Sequence, residues 1–257
     1  MENKLNITFL GTGTSQGIPI IGCDCEVCRS ADARNKRLRT SILINYKNKN
    51  IVVDTGPDFR QQMLNAEVKE LRAILFTHEH KDHVAGLDDV RPFNFKTGKP
   101  IDVYAEQRVQ DAIKREYAYI FSENPYPGIP QINMHLISHT NFNIDDIEIN
   151  PIRVMHHKLP ILGFKIGKFA YLTDIKTLPG EEKKKVSNLD AIVVTALRKE
   201  PHISHMNIEE AVTLIRELNP KKAYLTHLSH RFGLHEFEEK KLPPNVFIAY
   251  DGLRISI

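Results

Sequence analysis

The sequence predicts an α/β protein in which two β-sheets are covered by outer helices. Short apolar runs rich in β-branched residues recur from one end of the chain to the other, as is typical of strands. Helical patterns occur between only some of these runs, so a regular alternation of strand and helix fits poorly. The chain has 257 residues, a length that one large hydrophobic core can support. We therefore expect residues 1–257 to form a single domain.

Eleven segments have the composition of β-strands, because valine, isoleucine and aromatic residues dominate them. They lie at residues 7–10, 41–46, 51–53, 73–77, 101–104, 132–137, 147–155, 163–173, 191–197, 223–226 and 246–257. Their number indicates a strand-rich protein. No apolar run approaches the ~18 residues of a membrane-spanning helix, so we expect no transmembrane segment.

Five helical patterns lie between the strands, at residues 58–68, 84–93, 107–121, 178–188 and 208–218. The start of the last helix is the best defined. Asn207 precedes it and Glu210 follows three residues later, an arrangement typical of a capping box. Pro220 ends this helix. Three prolines and a glycine within residues 124–131 predict a loop.

The charge balance gives no indication of a nucleic-acid or membrane partner. The chain contains 35 Lys and Arg against 32 Asp and Glu, and this formal charge of +3 is too small to predict a basic binding face. The polar start of the chain lacks the pattern of a signal peptide. We expect a cytoplasmic protein, and we keep a homodimer open. A short basic run of Arg34, Arg37 and Arg39 predicts a solvated loop, with lining of the cleft as the alternative.

A cluster of metal-binding residue types follows one of the predicted strands. Residues 78–83 read His-Glu-His-Lys-Asp-His. In an extended segment, residues two apart share a face, so His78 and His80 can point at one ion. The chain then turns and brings in Asp82 and His83. Imidazole and carboxylate groups suit zinc and similar metals, and four of them can hold two ions. An exposed polar loop is the alternative interpretation.

The HxHxDH motif of residues 78–83, preceded by the sequence VVDTG at residues 52–56, resembles the metallo-β-lactamase superfamily of hydrolases. This resemblance implies an αββα sandwich of two mixed β-sheets flanked by helices, with a pair of metal ions at one edge of the sheets. The remaining ligands of the family have counterparts in order along the chain. They are His156, Asp174 and His227, each after a strand-like run.

By this resemblance, seven side chains bind two divalent ions, either Mn²⁺ or Zn²⁺. The first ion is assigned to His78, His80 and His156, the second to Asp82, His83 and His227, and Asp174 bridges the two. A bridging carboxylate holds two cations roughly 3.5–4 Å apart, where they lower the pKa of bound water. The adjacent His157 stays an alternative to His156.

Asp54 is expected to lie outside the set of metal ligands. The matching aspartate of the family forms hydrogen bonds near the metal-binding histidines, and a ligating imidazole needs its second nitrogen oriented by such a partner. A simple turn at residues 54–57 is an alternative account that requires no metal.

The three cysteines Cys23, Cys25 and Cys28 favour a second kind of metal site. An odd number of cysteines within six positions of a cytosolic chain disfavours a disulfide framework. Together with the sequence GTGTSQG at residues 11–17, they resemble the phosphoribosyl cyclic phosphodiesterases of the phosphonate pathway. There, three cysteines and a distant histidine, here His230, bind a structural zinc ion. Such a closed Cys₃His site would hold the N-terminal loop to the C-terminal half of the chain.

The same resemblance implies a metal-dependent phosphodiesterase that acts on small cyclic or nucleotide-like diesters. A hydroxide activated by both ions would attack phosphorus in line, in a site to which Asp82 contributes. His205 matches a catalytic histidine of these enzymes and would assist the leaving oxygen, with His202 as the alternative. Two other functions stay open. One is a superfamily nuclease acting on RNA or DNA ends, and the other is a metal-stapled scaffold without catalysis.

Overall fold

The computed structural model describes residues 4–124 and 126–257. Within these residues it contains fourteen strands and eight α-helices. The strands are β1 (Asn6–Gly11), β2 (Ser41–Tyr46), β3 (Lys49–Val53), β4 (Ala73–Leu75), β5 (Ile101–Ala105), β6 (Ile132–Leu136), β7 (Phe142–Ile144), β8 (Ile147–His156), β9 (Leu159–Ile166), β10 (Phe169–Leu172), β11 (Ala191–Thr195), β12 (Lys222–Thr226), β13 (Val246–Ile248) and β14 (Arg254–Ser256). The helices are α1 (Glu26–Arg29), α2 (Phe59–Asn65), α3 (Lys81–Val84), α4 (Arg91–Thr97), α5 (Gln107–Glu116), α6 (Gly180–Lys183), α7 (Ile208–Leu218) and α8 (His235–Glu239).

The strands form two seven-stranded sheets. The first has the order β14-β1-β2-β3-β4-β5-β6 and the second the order β13-β12-β11-β10-β9-β8-β7. Both are mixed: β3 to β6 are parallel, as are β10 to β13, whereas the remaining pairs are antiparallel. With helices on the outer faces, this arrangement confirms the predicted αββα sandwich.

The alternation of side chains along β2 explains how the layers are held together. Ile42 and Ile44 point between the sheets and belong to the same buried cluster as Phe164 and Tyr171 of the second sheet. Leu43 points to the opposite face and joins the cluster formed with α2 and α5. The outer face of β10 to β12 packs in the same way against α7. Each sheet therefore buries both of its faces, as a four-layer sandwich requires.

Several element boundaries differ from the prediction for local reasons. The predicted strand at residues 163–173 is interrupted at Gly167, whose φ of +55° allows the turn between β9 and β10. Gly252, with a φ of +87°, lies in the turn that precedes β14. Strand β7 and the short helices α1, α3 and α8 were not predicted. The predicted capping box at Asn207 and Glu210 is confirmed, since each residue's side chain accepts from the other's backbone amide at 2.9 Å.

Several of the predicted helices are shorter than the sequence pattern indicates. In place of a helix over residues 84–93, a 3₁₀ turn at Leu87–Val90 leads into α4, because Pro92 favours the first turn of a helix over its interior. The predicted helix over residues 178–188 is reduced to the single turn α6. Among the helices of the described residues, none has the length and hydrophobicity needed to cross a bilayer.

Candidate metal centre

The predicted metal ligands lie where strands of both sheets end. Asp54 follows β3, residues 78–83 follow β4, and His156 ends β8. In the second sheet, Asp174 lies beyond β10 and His227 directly follows β12. Because β3 and β4 are parallel, as are β10, β11 and β12, their carboxyl ends lie at a common edge of each sheet.

The structure brings all seven predicted ligands together around Asp174. Three groups of side chains each place their ligand atoms within 4.8 Å of one another, and Asp174 is common to all of them. The groups are His78, His83 and Asp174; His156, Asp174 and His205; and Asp82, Asp174 and His227. The Nδ1 atom of His80 lies 3.0 Å from Nε2 of His78 and completes the set.

Several of these side chains belong to residues with unusual backbone conformations, which direct them toward the cluster. Asp54, Asp174 and His227 have φ values of +65°, +56° and +58°, in the left-handed region that few non-glycine residues adopt. All three lie where a strand has just ended, so the abrupt change of backbone direction turns each side chain toward the cluster. Backbone strain of this kind concentrates at functional sites.

Asp54 holds His83 through a hydrogen bond to one ring nitrogen. Its carboxylate accepts from the backbone amide of Thr77 at 2.9 Å and from the Thr77 hydroxyl at 2.8 Å. The same carboxylate lies 2.8 Å from Nδ1 of His83. The opposite nitrogen of His83, Nε2, lies 3.3 Å from Asp82 Oδ2 and 3.5 Å from Asp174 Oδ2.

Two unpaired nitrogen atoms indicate that the residues fit a cation. Nε2 of His83 and Nδ1 of His227 are buried and have no hydrogen-bond partner among the described residues. Both face Asp174, with the His227 nitrogen 2.9 Å from Oδ1. A buried polar nitrogen without a partner is costly, and coordination of a divalent metal by imidazole and carboxylate removes that cost.

His156, rather than its neighbour His157, lies in the cluster. Nδ1 of His156 lies 2.9 Å from the backbone oxygens of Asp174 and Ser204, which leaves Nε2 free for a cation. The exposed His157 occupies the turn between β8 and β9 with a φ of +56°.

His205 lies against the cluster from the loop before α7. Its Nε2 atom is 3.3 Å from Asp174 Oδ2, and its Nδ1 atom is 2.9 Å from the Ser204 hydroxyl. The rings of His156 and His205 meet edge to face at 4.6 Å between centroids. His202, the alternative residue, is half-buried with its ring 5.3 Å from that of His205.

The electrostatics of the cluster favour cation binding. Burial raises the pKa of Asp174, yet the neighbouring His227 and His83 outweigh it and hold the pKa well below the usual value. Burial lowers the pKa of His78 far below its ordinary value and keeps this imidazole neutral. Burial also lowers the pKa of His83, but Asp174, Asp54 and Asp82 together raise it well above normal. A proton on His83 would therefore leave as a cation binds.

The cysteines form a separate cluster with His230, as a Cys₃His zinc site would require. Nδ1 of His230 lies 3.2, 3.4 and 3.8 Å from the sulfur atoms of Cys23, Cys25 and Cys28. Ligands of tetrahedral zinc at the usual bond lengths are about 3.5 Å apart. Burial raises the pKa of Cys25, but hydrogen bonds to Cys28, Cys23 and His230 outweigh it and lower the pKa to about 6.

Thr77 and Thr14 were missed by the sequence reasoning. The Thr77 hydroxyl lies 2.9 Å from Nδ1 of His78, and that of Thr14 lies 3.2 Å from Nε2 of His227. Thr77 directly precedes the HxHxDH motif, and this proximity is the one signal that could have identified it. Thr14 is 213 positions from its partner and carries no local signal.

Comparison with known proteins places the chain in a family. The Beta-lactamase superfamily domain matches residues 49–228. A solved structure described as a new diphosphatase from the PhnP family is 37% identical, with a TM-score of 0.93 over 99% of this chain and 97% of that chain. An octanoyltransferase of Porphyromonas gingivalis is 43% identical over 97% of this chain, which spans about half (51%) of that protein's length.

A ribonuclease Z of Staphylococcus carnosus is a more distant relative. It is 21% identical over 91% of this chain and 92% of its own length. The domain match covers more than half of the chain, and the similarity to the diphosphatase extends over nearly the whole of both proteins. The chain therefore belongs to the metallo-β-lactamase superfamily of metal-dependent hydrolases and, within it, to the PhnP family.

Proposed function

We propose that this chain is a metal-dependent phosphodiesterase acting on small cyclic or nucleotide-like phosphodiesters. The observation that supports it most is the position of Asp174, whose carboxylate is shared by three groups of metal-binding side chains. A carboxylate in that position can bridge two cations. Two cations roughly 3.5–4 Å apart stabilise both the attacking and the leaving oxygen of a phosphoryl transfer.

The resemblance to the family assigns the ligands to two sets that share Asp174. His78, His80 and His156 would hold one cation, and Asp82, His83 and His227 the other. When bound, Mn²⁺ or Zn²⁺ would supply an activated water at neutral pH and offset the negative charge that develops on the phosphoryl group. Asp54 keeps Nδ1 of His83 engaged, so Nε2 stays directed at the cation site.

His205 is assigned to the leaving oxygen. Its Nε2 atom approaches the shared carboxylate of Asp174, next to the position that a phosphoryl group would occupy. An alkoxide leaves poorly without a proton, and an imidazole at this position can donate one. The Ser204 hydroxyl lies 2.9 Å from the other ring nitrogen, Nδ1, and fixes the orientation of the ring.

A substrate comparison tests the proposal. We expect protein loaded with Mn²⁺ or Zn²⁺ to hydrolyse a five-membered ribose cyclic phosphate, and we expect removal of the metal with a chelator to abolish turnover. The control is a 4-nitrophenyl phosphate monoester, whose hydrolysis should be much slower. Protein that holds two cations at this site and hydrolyses no phosphodiester would instead be the metal-stapled scaffold.

A ribonuclease of the same superfamily is the second candidate, since the ribonuclease Z of Staphylococcus carnosus aligns with nearly the whole chain. The formal charge of +3 argues against it, because binding of a polynucleotide relies on many unpaired basic side chains. Several arginines are already paired with acids, among them Arg39 with Asp58 and Arg153 with Glu106. Cleavage of a precursor tRNA at a rate above that of the cyclic diester would favour the nuclease.

We do not propose octanoyl transfer, the activity in the name of the Porphyromonas gingivalis relative, for this chain. The Porphyromonas gingivalis protein of that name is about twice as long as this chain, so half of it lies outside the match. The three cysteines of this chain, which could serve as acyl acceptors, are occupied with one another and with His230.

We also propose that Cys23, Cys25, Cys28 and His230 bind a structural zinc ion. Elemental analysis of the zinc-loaded protein should then give three metal ions per chain, and the variant Cys25→Ser should lose about one of them. A serine hydroxyl is a poor ligand for zinc, so the closed site fails to form. Because the ion joins segments about 200 residues apart, the variant should also unfold at a lower temperature. Retention of all three ions would contradict this assignment.

A further inference from the structure

We propose that Thr14 is a positioning residue for His227, and that its hydroxyl engages one ring nitrogen and holds the ring with the other nitrogen directed at the cation site. The inference rests on the proposed function, because it takes His227 as a metal ligand. It concerns a residue outside the ligand set, in the glycine-containing segment GTGTSQG of residues 11–17. Neither the metal ligands nor the cysteine cluster explains that segment.

The geometry around His227 assigns a role to each ring nitrogen. Nε2 lies 3.2 Å from the hydroxyl of the buried Thr14. Nδ1 lies 2.9 Å from Oδ1 of Asp174 and has no hydrogen-bond partner among the described residues. When Nδ1 gives its lone pair to a cation, the ring proton resides on Nε2 and is donated to the Thr14 hydroxyl. Thr14 thus holds the ring in the orientation that directs Nδ1 at the cation site.

His83 is also held through one ring nitrogen, but through the opposite one. There Asp54 engages Nδ1, and the free atom is Nε2, which faces Asp82 and Asp174. The two histidines assigned to the second cation are therefore held through opposite ring nitrogens. Each has an oxygen partner on one side and an unpaired nitrogen on the side of Asp174.

The backbone around Thr14 is fixed on both sides. Its amide donates to the backbone oxygen of Leu228 at 3.0 Å, and the amide of Leu228 donates to Thr12 at 2.9 Å. The segment thus pairs with the residue that follows His227. A Cβ atom at Gly13 would lie 3.0 Å from the backbone oxygens of Arg37 and Leu38, a tight contact, so this close pairing favours glycine.

The side chain of Arg37 also stabilises the segment of residues 11–17. The prediction that this residue lies in a solvated loop is wrong, because its side chain is buried. Its guanidinium donates to the Thr12 hydroxyl at 2.7 Å and to the backbone oxygen of Ala249 at 2.5 Å. The Thr12 hydroxyl in turn donates to Asp251 at 2.7 Å. The Thr14 hydroxyl is therefore presented to His227 from a rigid support, as precise orientation of a ligand requires.

The test is a metal titration of three variants by calorimetry, with Zn²⁺ alone as the probe. Thr14→Val keeps the shape of the side chain and removes the hydroxyl, and we expect it to bind one active-site cation about 10–100-fold more weakly. Thr14→Ser keeps the hydroxyl and should bind as the unaltered protein does. Thr55→Val is the matched control, because the buried Thr55 hydroxyl has no hydrogen-bond partner among the described residues.

A second measurement reports the tautomer directly. In the metal-loaded protein, NMR of the imidazole nitrogens should show the His227 proton on Nε2 and the metal on Nδ1. Equal affinity of Thr14→Val and the unaltered protein for both cations, or metal on Nε2 of His227, would overturn the role of Thr14 and leave the proposed function intact. Failure of the unaltered protein to bind a cation pair would overturn the proposed function itself, and with it this inference.

Discussion

Replacement of Asp174 with asparagine is expected to lower the turnover of a cyclic phosphodiester by about a thousandfold. The amide cannot bridge two cations, and the electrostatic stabilisation that a cation pair supplies is worth several kcal/mol, where each 1.4 kcal/mol is about tenfold in rate. Asparagine suits the backbone at this position, since it tolerates a φ of +56° better than most residues. The loss should therefore arise from the carboxylate and not from a distorted chain.

The measurement combines turnover with metal content. We expect Asp174→Asn to retain at least one cation fewer per chain than the unaltered protein, because all three ligand groups lose their shared carboxylate. Asp145→Asn is a matched control: Asp145 also has a positive φ, +53°, but pairs with Arg72 and Lys49 and lies in none of these groups. Full turnover in Asp174→Asn would eliminate the bridging role.

Sequence reasoning could identify those site residues that lie close together along the chain. Residues 78–83 carry four predicted ligands in six positions after a strand, and no long-range contact is needed to recognise that spacing. Asp174 and His227 were assigned through resemblance to a family, because each stands alone in its segment. Their convergence depends on the pairing of β10, β11 and β12, which side-chain composition does not specify.

The residues that sequence reasoning missed act through contacts between distant segments. Arg37 reads as one of three exposed basic residues, and only the fold reveals that Thr12 and Ala249 surround it. Likewise, the positive φ values at Asp54 and Asp174 occur just after strand ends, and aspartate is common elsewhere with an ordinary backbone, so residue type alone does not predict them. The general plan of two sheets was predictable from the strand count, whereas the strand boundaries were misjudged where Gly167 interrupts an otherwise continuous apolar run.

Replacement of His205 with glutamine is expected to slow hydrolysis of the ribose cyclic phosphate by about 10²–10⁴-fold, the usual contribution of a general acid. Its effect should depend on the leaving group. An alkoxide needs a proton as the bond to phosphorus breaks, whereas 4-nitrophenolate leaves readily without one. The same variant should therefore hydrolyse bis(4-nitrophenyl) phosphate at a rate close to that of the unaltered protein.

This dependence distinguishes proton donation from metal binding by His205. The ring lies 3.3 Å from Asp174 and belongs to one of the three ligand groups, so a direct role as a ligand is the competing explanation. A lost ligand would slow both substrates alike and reduce the metal content, whereas a lost proton donor slows only the alkoxide substrate and leaves the metal content unchanged. His139→Gln, at an exposed histidine, is the matched control and should alter neither rate. An equal slowing of both substrates would assign His205 to the metal site.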